Sequence, residues 1–593
     1  MPTYTAPLRD YHFVLNELLN IEQYSSISGF EDTSLLTPIM DEGARYCQEV
    51  LFPLNQTGDE QGLTFEDGNV TLPEGFKEAY QTYVEGGWPS FNCDTSYGGQ
   101  GLPNIFGVPM TEMICSANIS FGLFPGLTHG AYNALVTHAN DELKQKFLPK
   151  MVSGEWCGVM CLTEPQAGTD LGLMRTKAEP NNDGSYNITG NKIFISGGKH
   201  DAAKNIIHLV LARTPDAPEG SRGISLFVLP EKHIDKADGP INETNGVVCS
   251  GIEHKMGLHA SPTCVINYDN AKGWLVGEEN RGLPAMFTMM NEARLLVGVQ
   301  GLGVAEVAYQ NALEYAKERL QGRALNGATH PNKVADPITV HPDVRRMLLT
   351  MRAFTEGSRA LAMKTSLMLD ISHRHEDKRT RRDADDFVQL ATPVVKAYLT
   401  DGGSETANLA VQCLGGYGYI REYGLEQYIR DVRITQIYEG TNGIQALDLV
   451  GRKMGAHTGR YLRSFTHPCL KFIEDHKNDK AMAEFTKPLY IALKSLQNAS
   501  LWIAQKALAN PDEAAGASVD YLKLLSLTMM ADTWARTAKV ALEASAKGEE
   551  LPFYESKLAT ARFFMNKILP EHYSLLAKIT AGVKQLDIPD LNG

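Results

Sequence analysis

The residues most suited to chemistry lie in two segments far apart in the chain. Ile437-Tyr438-Glu439-Gly440-Thr441 sets one carboxylate between an aromatic ring and a glycine. Desolvation there raises a carboxyl from ~4.3 toward ~6–7, a range suited to taking a proton. Leu162-Thr163-Glu164-Pro165-Gln166-Ala167-Gly168-Thr169-Asp170 is a turn dense in hydroxyls and glycine, the kind of backbone that approaches a cofactor closely. The hydroxyls of Thr163 and Thr169, with nearby backbone N–H groups, suit a polar ring edge and a phosphate. Read singly, Glu439 is equally a helix-cap or salt-bridge glutamate, and the turn an ordinary polar loop.

Several kinds of element must position these groups. Residues 10–157 read as helical, with helical spacing over 41–54 and 76–83 and breakers at Gly86-Gly87 and Gly98-Gly99-Gln100-Gly101. After Cys157, short β-branched runs take over at 186–188, 192–195, 206–212, 223–229 and 263–268. Asn181-Asn182-Asp183-Gly184 and Thr189-Gly190-Asn191 read as turns between them. No helices intervene, so a sandwich or barrel is expected instead of a doubly wound sheet. Long helices return at 286–319, 344–373 and 384–414, as in a bundle. Beyond residue 465, Leu489, Leu493, Leu496 and Ile503 form one apolar stripe, and Leu522, Leu525, Met529 and Trp534 another.

At 593 residues the chain exceeds what one core supports, and its 43% hydrophobic and 21% charged content is that of a globular protein. A net charge of −14 argues against a primary role on nucleic acid. The basic run Arg379-Thr380-Arg381-Arg382 sits among acidic residues and reads as a solvated helix junction. Nine dispersed cysteines are expected to be reduced thiols. Cys157 and Cys161 lack the companions of a zinc site and are expected in the core; no metal is expected. The first residues lack a basic-then-apolar signal pattern, so a cytoplasmic location is the expectation.

The two opening segments resemble the signatures of the acyl-CoA dehydrogenase family. Matching motifs recur between them: Tyr97-Gly98-Gly99-Gln100-Gly101, Lys192-Ile193-Phe194-Ile195-Ser196-Gly197-Gly198, Asn291-Glu292-Ala293-Arg294, Arg319-Leu320-Gln321-Gly322-Arg323 and Gln412-Cys413-Leu414-Gly415-Gly416-Tyr417. The length is similar to a longer bacterial branch with a C-terminal helical extension. The implied fold is α+β: an N-terminal extension (1–35), a helical N-terminal domain (36–157), a central β domain (158–283), a four-helix-bundle-type domain (284–460) and the helical extension (465–593).

The resemblance implies bound FAD and α,β-dehydrogenation of an acyl-CoA thioester, either 3-methylthiopropionyl-CoA or a fatty acyl-CoA. Electrons would pass to electron-transfer flavoprotein. It makes Glu439 the base, whose own N–H and a flavin ribityl hydroxyl hold the thioester carbonyl. Some relatives carry the base on an earlier helix. That position here is Ala293, which cannot take a proton, and Glu292 is turned ~100° away from it.

In the flavin turn the implied contacts are Leu162, Thr163, Gly168 and Thr169. Phe194 stands where many relatives have Trp against the flavin, losing the indole N–H, and Ser196 stands for a Thr near its reactive nitrogen. Arg319 and Gln321 would reach the pyrophosphate of the neighbouring subunit, with Gln412, Gly415 and Gly416 cradling the adenosine half. Thr441 would touch the same nucleotide from the catalytic subunit. A shared cofactor implies an oligomer, and the extension favours a homodimer. Arg294 is expected to steady the site wall by pairing with Glu164. An oxygen-using acyl-CoA oxidase and a redox-silent scaffold are the alternatives, and a scaffold would need neither Glu439 nor the flavin turn.

Overall fold

The computed structural model describes residues 2–234, 244–548 and 550–588. Packing divides the chain into two units, one of residues 1–41, 104–112 and 297–593, the other of 42–103 and 113–296.

Within the second unit, the region read as wholly helical contains a hairpin of β1 (Thr64–Glu66) and β2 (Asn69–Thr71). Asp67 and Gly68 join them with φ of 49° and 77°, the left-handed pair that a two-residue hairpin turn requires. The sheet proper holds β3 (Trp156–Cys161), β4 (Lys177–Pro180), β5 (Tyr186–Ser196), β6 (Asn205–Ala212), β7 (Ser225–Pro230), β8 (Val247–Ile252) and β9 (Thr263–Val276). Its order is β3-β6-β7-β9-β5-β4, with β8 also on β9; β3 and β6 run parallel and the other pairs antiparallel.

Alternation along β6 explains the double-sided burial. Ile207, Leu209 and Leu211 meet helical residues such as Leu135, Phe147 and Met151, whereas Ile206 and Val210 join Ile188, Phe227 and Ile266 on the other face.

The runs 186–188 and 192–195 are one strand, so Thr189-Gly190-Asn191 is not a turn. The register shifts between Ile188 and Gly190, which face Ala271 and Tyr268, so the extra residue lies on β9. A side chain at Gly190 would lie 2.5 Å from Thr176 Oγ1, which is why glycine fits there. The Asn181–Gly184 turn does connect β4 to β5.

In the first unit, helices Pro342–Arg374 and Lys378–Leu414 pack against each other across a three-residue connection. Asp377 caps the second by accepting from Thr380 N at 2.8 Å, so this helix starts six residues before the apolar pattern suggested. Both expected stripes of the extension are buried, in helices Ala483–Ala507 and Pro511–Ser545. Trp534 Nε1 donates to Ala353 O at 3.1 Å, tying the extension to the 342–374 helix. The nine cysteines are free and buried, and among the described residues no helix is long and apolar enough to cross a membrane.

Candidate active site

In the second unit, the hydroxyl-rich turn leaves the end of β3 and is closed by reciprocal backbone bonds between Glu164 and Ala167 (3.0 and 2.9 Å). Thr163 O accepts from Ile193 N at 3.0 Å, so the turn is fastened to β5. The centre of this join is Glu164, which is 3% exposed. It accepts from Lys192 Nζ (2.9 Å), Thr176 Oγ1 (2.6 Å), Arg175 N (2.7 Å) and Thr176 N (3.0 Å).

Burial would raise the Glu164 carboxyl, but the Lys192 ammonium and these donors outweigh it and hold it down at about 2. All of this carboxylate's ion pairing goes to Lys192. The expected pairing with Arg294 is therefore incorrect, and the Arg294 guanidinium lies 6.0 Å from the Phe287 ring instead. The role of Lys192 is not legible from its motif alone. A lone lysine in an apolar strand was the signal for a buried partner.

This arrangement leaves Gly168 and Thr169 exposed at the tip and Leu162 and Thr163 half-buried behind them. A Cβ at Gly168 would meet nothing within 4 Å, so the backbone there is open to approach. Phe194 lies in the register shift between Lys192 and Ile195 with φ of 59°. An aromatic in the left-handed region is strained by ~1–3 kcal/mol, and its ring is turned outward, 59% exposed. Ser196 ends β5, opposite Thr263.

Glu292 accepts from His129 Nε2 at 2.9 Å and from Asn133 Nδ2. Burial would lower the imidazole, yet the Glu292 charge carries it up to about 10. A carboxylate committed to a buried cation is a poor rival for the role of base.

In the first unit, the Gln412 and Arg319 segments come together although they are far apart in sequence. Tyr315, Arg319, Gln321, Gln412, Gly415 and Gly416 line one cleft of about 500 Å³. The Arg319 guanidinium lies 5.4 Å from the centre of the Tyr417 ring, which holds it in place. Gly415 has φ of 61° and ends the long helix, and side chains at Gly415 or Gly416 would project into open space. A guanidinium, two amides and bare backbone form a cradle for phosphates and a nucleoside, so these residues fit the FAD expected there.

Glu439 follows the helical turn Arg433–Gln436 and has φ of 57°, with Gly440 at 82°. Gln445 Nε2 donates to both Glu439 O (3.3 Å) and Gly440 O (3.1 Å). Tyr438 Oη donates to Gln300 Oε1. Asn442 Nδ2 reaches Asp401 Oδ1 (2.7 Å), which also takes Gln436 Nε2 (2.6 Å). The loop is thus fixed on both sides of the carboxylate. Thr441 Oγ1 caps helix Asn442–Asp448 by accepting from Ile444 N at 3.4 Å, leaving its O–H available to donate. Gln445 and Asn442 escaped the sequence reading because an amide's partner is set by tertiary contact.

Family models described as the acyl-CoA dehydrogenase N-terminal, middle and C-terminal domains match residues 39–155, 159–271 and 280–454, and an acetyl-CoA dehydrogenase C-terminal-like model matches 452–588. A 3-methylmercaptopropionyl-CoA dehydrogenase of Ruegeria pomeroyi is 43% identical, covering 98% of both chains. A butyryl-CoA dehydrogenase of Syntrophomonas wolfei is 36% identical, covering 99% of this chain and 98% of its own. The structure of an acyl-CoA dehydrogenase from Bacillus anthracis complexed with FAD shares the fold, with a TM-score of 0.74 at 22% identity over 97% of this chain and 92% of its own. The chain belongs to the acyl-CoA dehydrogenase family, FAD-dependent oxidoreductases acting on CH–CH donors.

Proposed function

We propose that this protein converts a saturated acyl-CoA to its trans-2-enoyl-CoA with Glu439 as the base, and passes electrons to electron-transfer flavoprotein. The observation that carries the reading is the left-handed conformation of Glu439, a strained and non-glycine position held by Gln445. Strain of this kind persists where the surroundings over-determine it, as they do at catalytic residues.

An α C–H is a very weak acid, so the proton must leave as enolate charge is stabilised and the β hydride departs. Bound FAD supplies the hydride acceptor. Glu439 takes the α proton, and its backbone N–H serves the thioester oxygen. Thr163 and Ser196 would hold the flavin ring edge by their hydroxyls, Leu162 and Gly168 would approach the cofactor by backbone, and Thr169 would meet the pyrophosphate by its hydroxyl. Phe194 gives an apolar wall that keeps water from the reacting carbons. Arg319, Gln321, Gln412, Gly415 and Gly416 hold the nucleotide half of a second copy's FAD, and Thr441 holds that of its own, which makes the protein an obligate homodimer.

The relatives' names point to a short acyl group, 3-methylthiopropionyl or butyryl, with longer fatty acyl chains as the extension of that range. Anaerobic bleaching of the bound flavin by 3-methylthiopropionyl-, butyryl-, octanoyl- and palmitoyl-CoA tests the proposal. Bleaching by one class, lost in Glu439→Gln with binding retained, is the expected result. Equal bleaching by the variant would remove Glu439 as base, and a flavin that stays oxidised throughout would remove the activity on this set. A tetramer in light scattering of the full-length protein would overturn the dimer.

A further inference from the structure

The loop that carries Glu439 runs from the helical turn Arg433–Gln436 to helix Asn442–Asp448. Its two ends meet on one atom of a third element. Asp401, on the 378–414 helix, accepts from Gln436 Nε2 at 2.6 Å and from Asn442 Nδ2 at 2.7 Å through the same oxygen, Oδ1. Gln436 stands three residues before Glu439, and Asn442 three residues after it.

A carboxylate makes stronger hydrogen bonds than a neutral acceptor, by roughly twofold. Asp401 has no ion pair among the described residues, so its charge serves these two amides. It is exposed at the edge of a cleft of about 570 Å³, whose facing wall is Leu522, Leu527 and Phe564 of the extension. Water reaching the carboxylate from that cleft lowers the cost of keeping an anion behind the loop.

The far side of Asn442 meets a cation. Lys396, on the same helix as Asp401, is closed to solvent, and its Nζ donates to Asn442 Oδ1 at 2.8 Å. The Asn442 amide therefore lies between an ammonium and a carboxylate, its oxygen toward one and its nitrogen toward the other. Those two charges allow it a single orientation. Its nitrogen also reaches Thr400 Oγ1 (3.0 Å) and Ala397 O (3.2 Å), which fastens the first residue of the 442–448 helix to one turn of the 378–414 helix.

We propose that Asp401 is a positioning residue for Glu439, acting through Gln436 and through the Asn442 amide that Lys396 orients. The proposal rests on Glu439 being the base. A residue in the left-handed region, as Glu439 is with φ of 57°, relaxes unless both ends of its loop are held. One charged oxygen holds both ends here, and so sets where the base stands against the α carbon.

Stopped-flow bleaching of the full-length, FAD-loaded enzyme tests it. The probe is whichever of 3-methylthiopropionyl-, butyryl-, octanoyl- and palmitoyl-CoA reduces the wild type fastest. Asp401→Ala should slow bleaching by about tenfold, with acyl-CoA affinity and flavin content nearly unchanged. Asp401→Asn keeps the accepting oxygen without the charge and should fall between Asp401→Ala and wild type. In a Glu439→Gln background, Asp401→Ala should add less than about twofold, because a positioning residue acts only through the group it positions. Loss of a merely structural contact would add in full.

Three results would each overturn the role of Asp401 and leave the base standing. They are an Asp401→Ala enzyme as fast as wild type, an Asp401→Asn enzyme no faster than Asp401→Ala, and full additivity with Glu439→Gln. A Glu439→Gln enzyme as fast as wild type would instead remove the base, and the role of Asp401 with it. A wild type left oxidised by all four acyl-CoAs would remove both together with the activity.

Discussion

Lys192 Nζ lies 2.9 Å from Glu164 Oε1 and 2.9 Å from Leu162 O, with the lysine side chain wholly closed to solvent. One ammonium thereby fastens strand β5, which carries Phe194 and Ser196, to the turn that carries Thr163 and Thr169. Removing one partner of a buried ion pair strands the other charge, at about 3–5 kcal/mol. Lys192→Met is expected to lose stability by about that amount and to lose FAD during gel filtration. Denaturant titration and the flavin absorbance of the purified variant measure both.

The same pair sets an acid limit. Glu164 is held down at about 2, against 4.5 for the unperturbed group. Its contribution is fully present above pH ~4.5 and is lost as the pH falls from there toward 2. The expected loss is on the order of 2 kcal/mol after allowance for solvent screening. Glu164→Gln should be less stable at pH 7 and show a flatter decline of melting temperature below pH 4.5.

The Glu439 loop separates chemistry from positioning. Glu439→Gln removes the proton acceptor and should slow flavin bleaching by about 10²–10⁴-fold. Gln445→Leu leaves the carboxylate in place but releases the carbonyls of Glu439 and Gly440. Bleaching should slow by roughly tenfold, with acyl-CoA binding nearly unchanged. A Gln445→Leu enzyme as fast as wild type in stopped flow would show that the loop holds its shape unaided.

The nucleotide cradle should respond to the backbone as well as to charge. Gly415→Val forces a β-branched residue to φ of 61° and places its methyls in the cleft. Together with Arg319→Ala, it should leave the purified protein depleted of FAD. Reconstitution followed by flavin fluorescence gives the change in affinity.

Arg359 joins distant parts of the chain in a way no motif announces. It is 1% exposed and donates to Glu112 Oε1 (3.0 Å), Glu306 Oε2 (2.6 Å) and Asp10. Lys557 of the C-terminal extension reaches the same Asp10 and also Glu356 Oε2 at 2.8 Å. Arg359→Met leaves three buried carboxylates short of a cation and is expected to cost about 3–5 kcal/mol. Guanidinium denaturation should show that loss, with the bleaching rate of the folded enzyme unchanged.

Local sequence determined what depends on neighbours along the chain. The long helices, their buried stripes at Leu489 to Ile503 and Leu522 to Trp534, and the hydroxyl-rich turn were all legible, because periodicity and turn chemistry are short-range properties. The Asp67-Gly68 hairpin carries a local turn signal too, but it is embedded in a stretch whose periodicity is helical.

Tertiary structure decided the rest. It decided that Thr189-Gly190-Asn191 continues a strand instead of ending one, because pairing with β9 supplies the hydrogen bonds that a turn would forgo. It decided that Glu164 answers to Lys192 and not Arg294, because an ion pair forms where folding brings charges together out of water. It also decided that Arg319 and Gln412 share one cleft, although 92 residues lie between them in the sequence. Residue type fixes what a side chain can do, and the long-range packing of helices and strands fixes what it can reach.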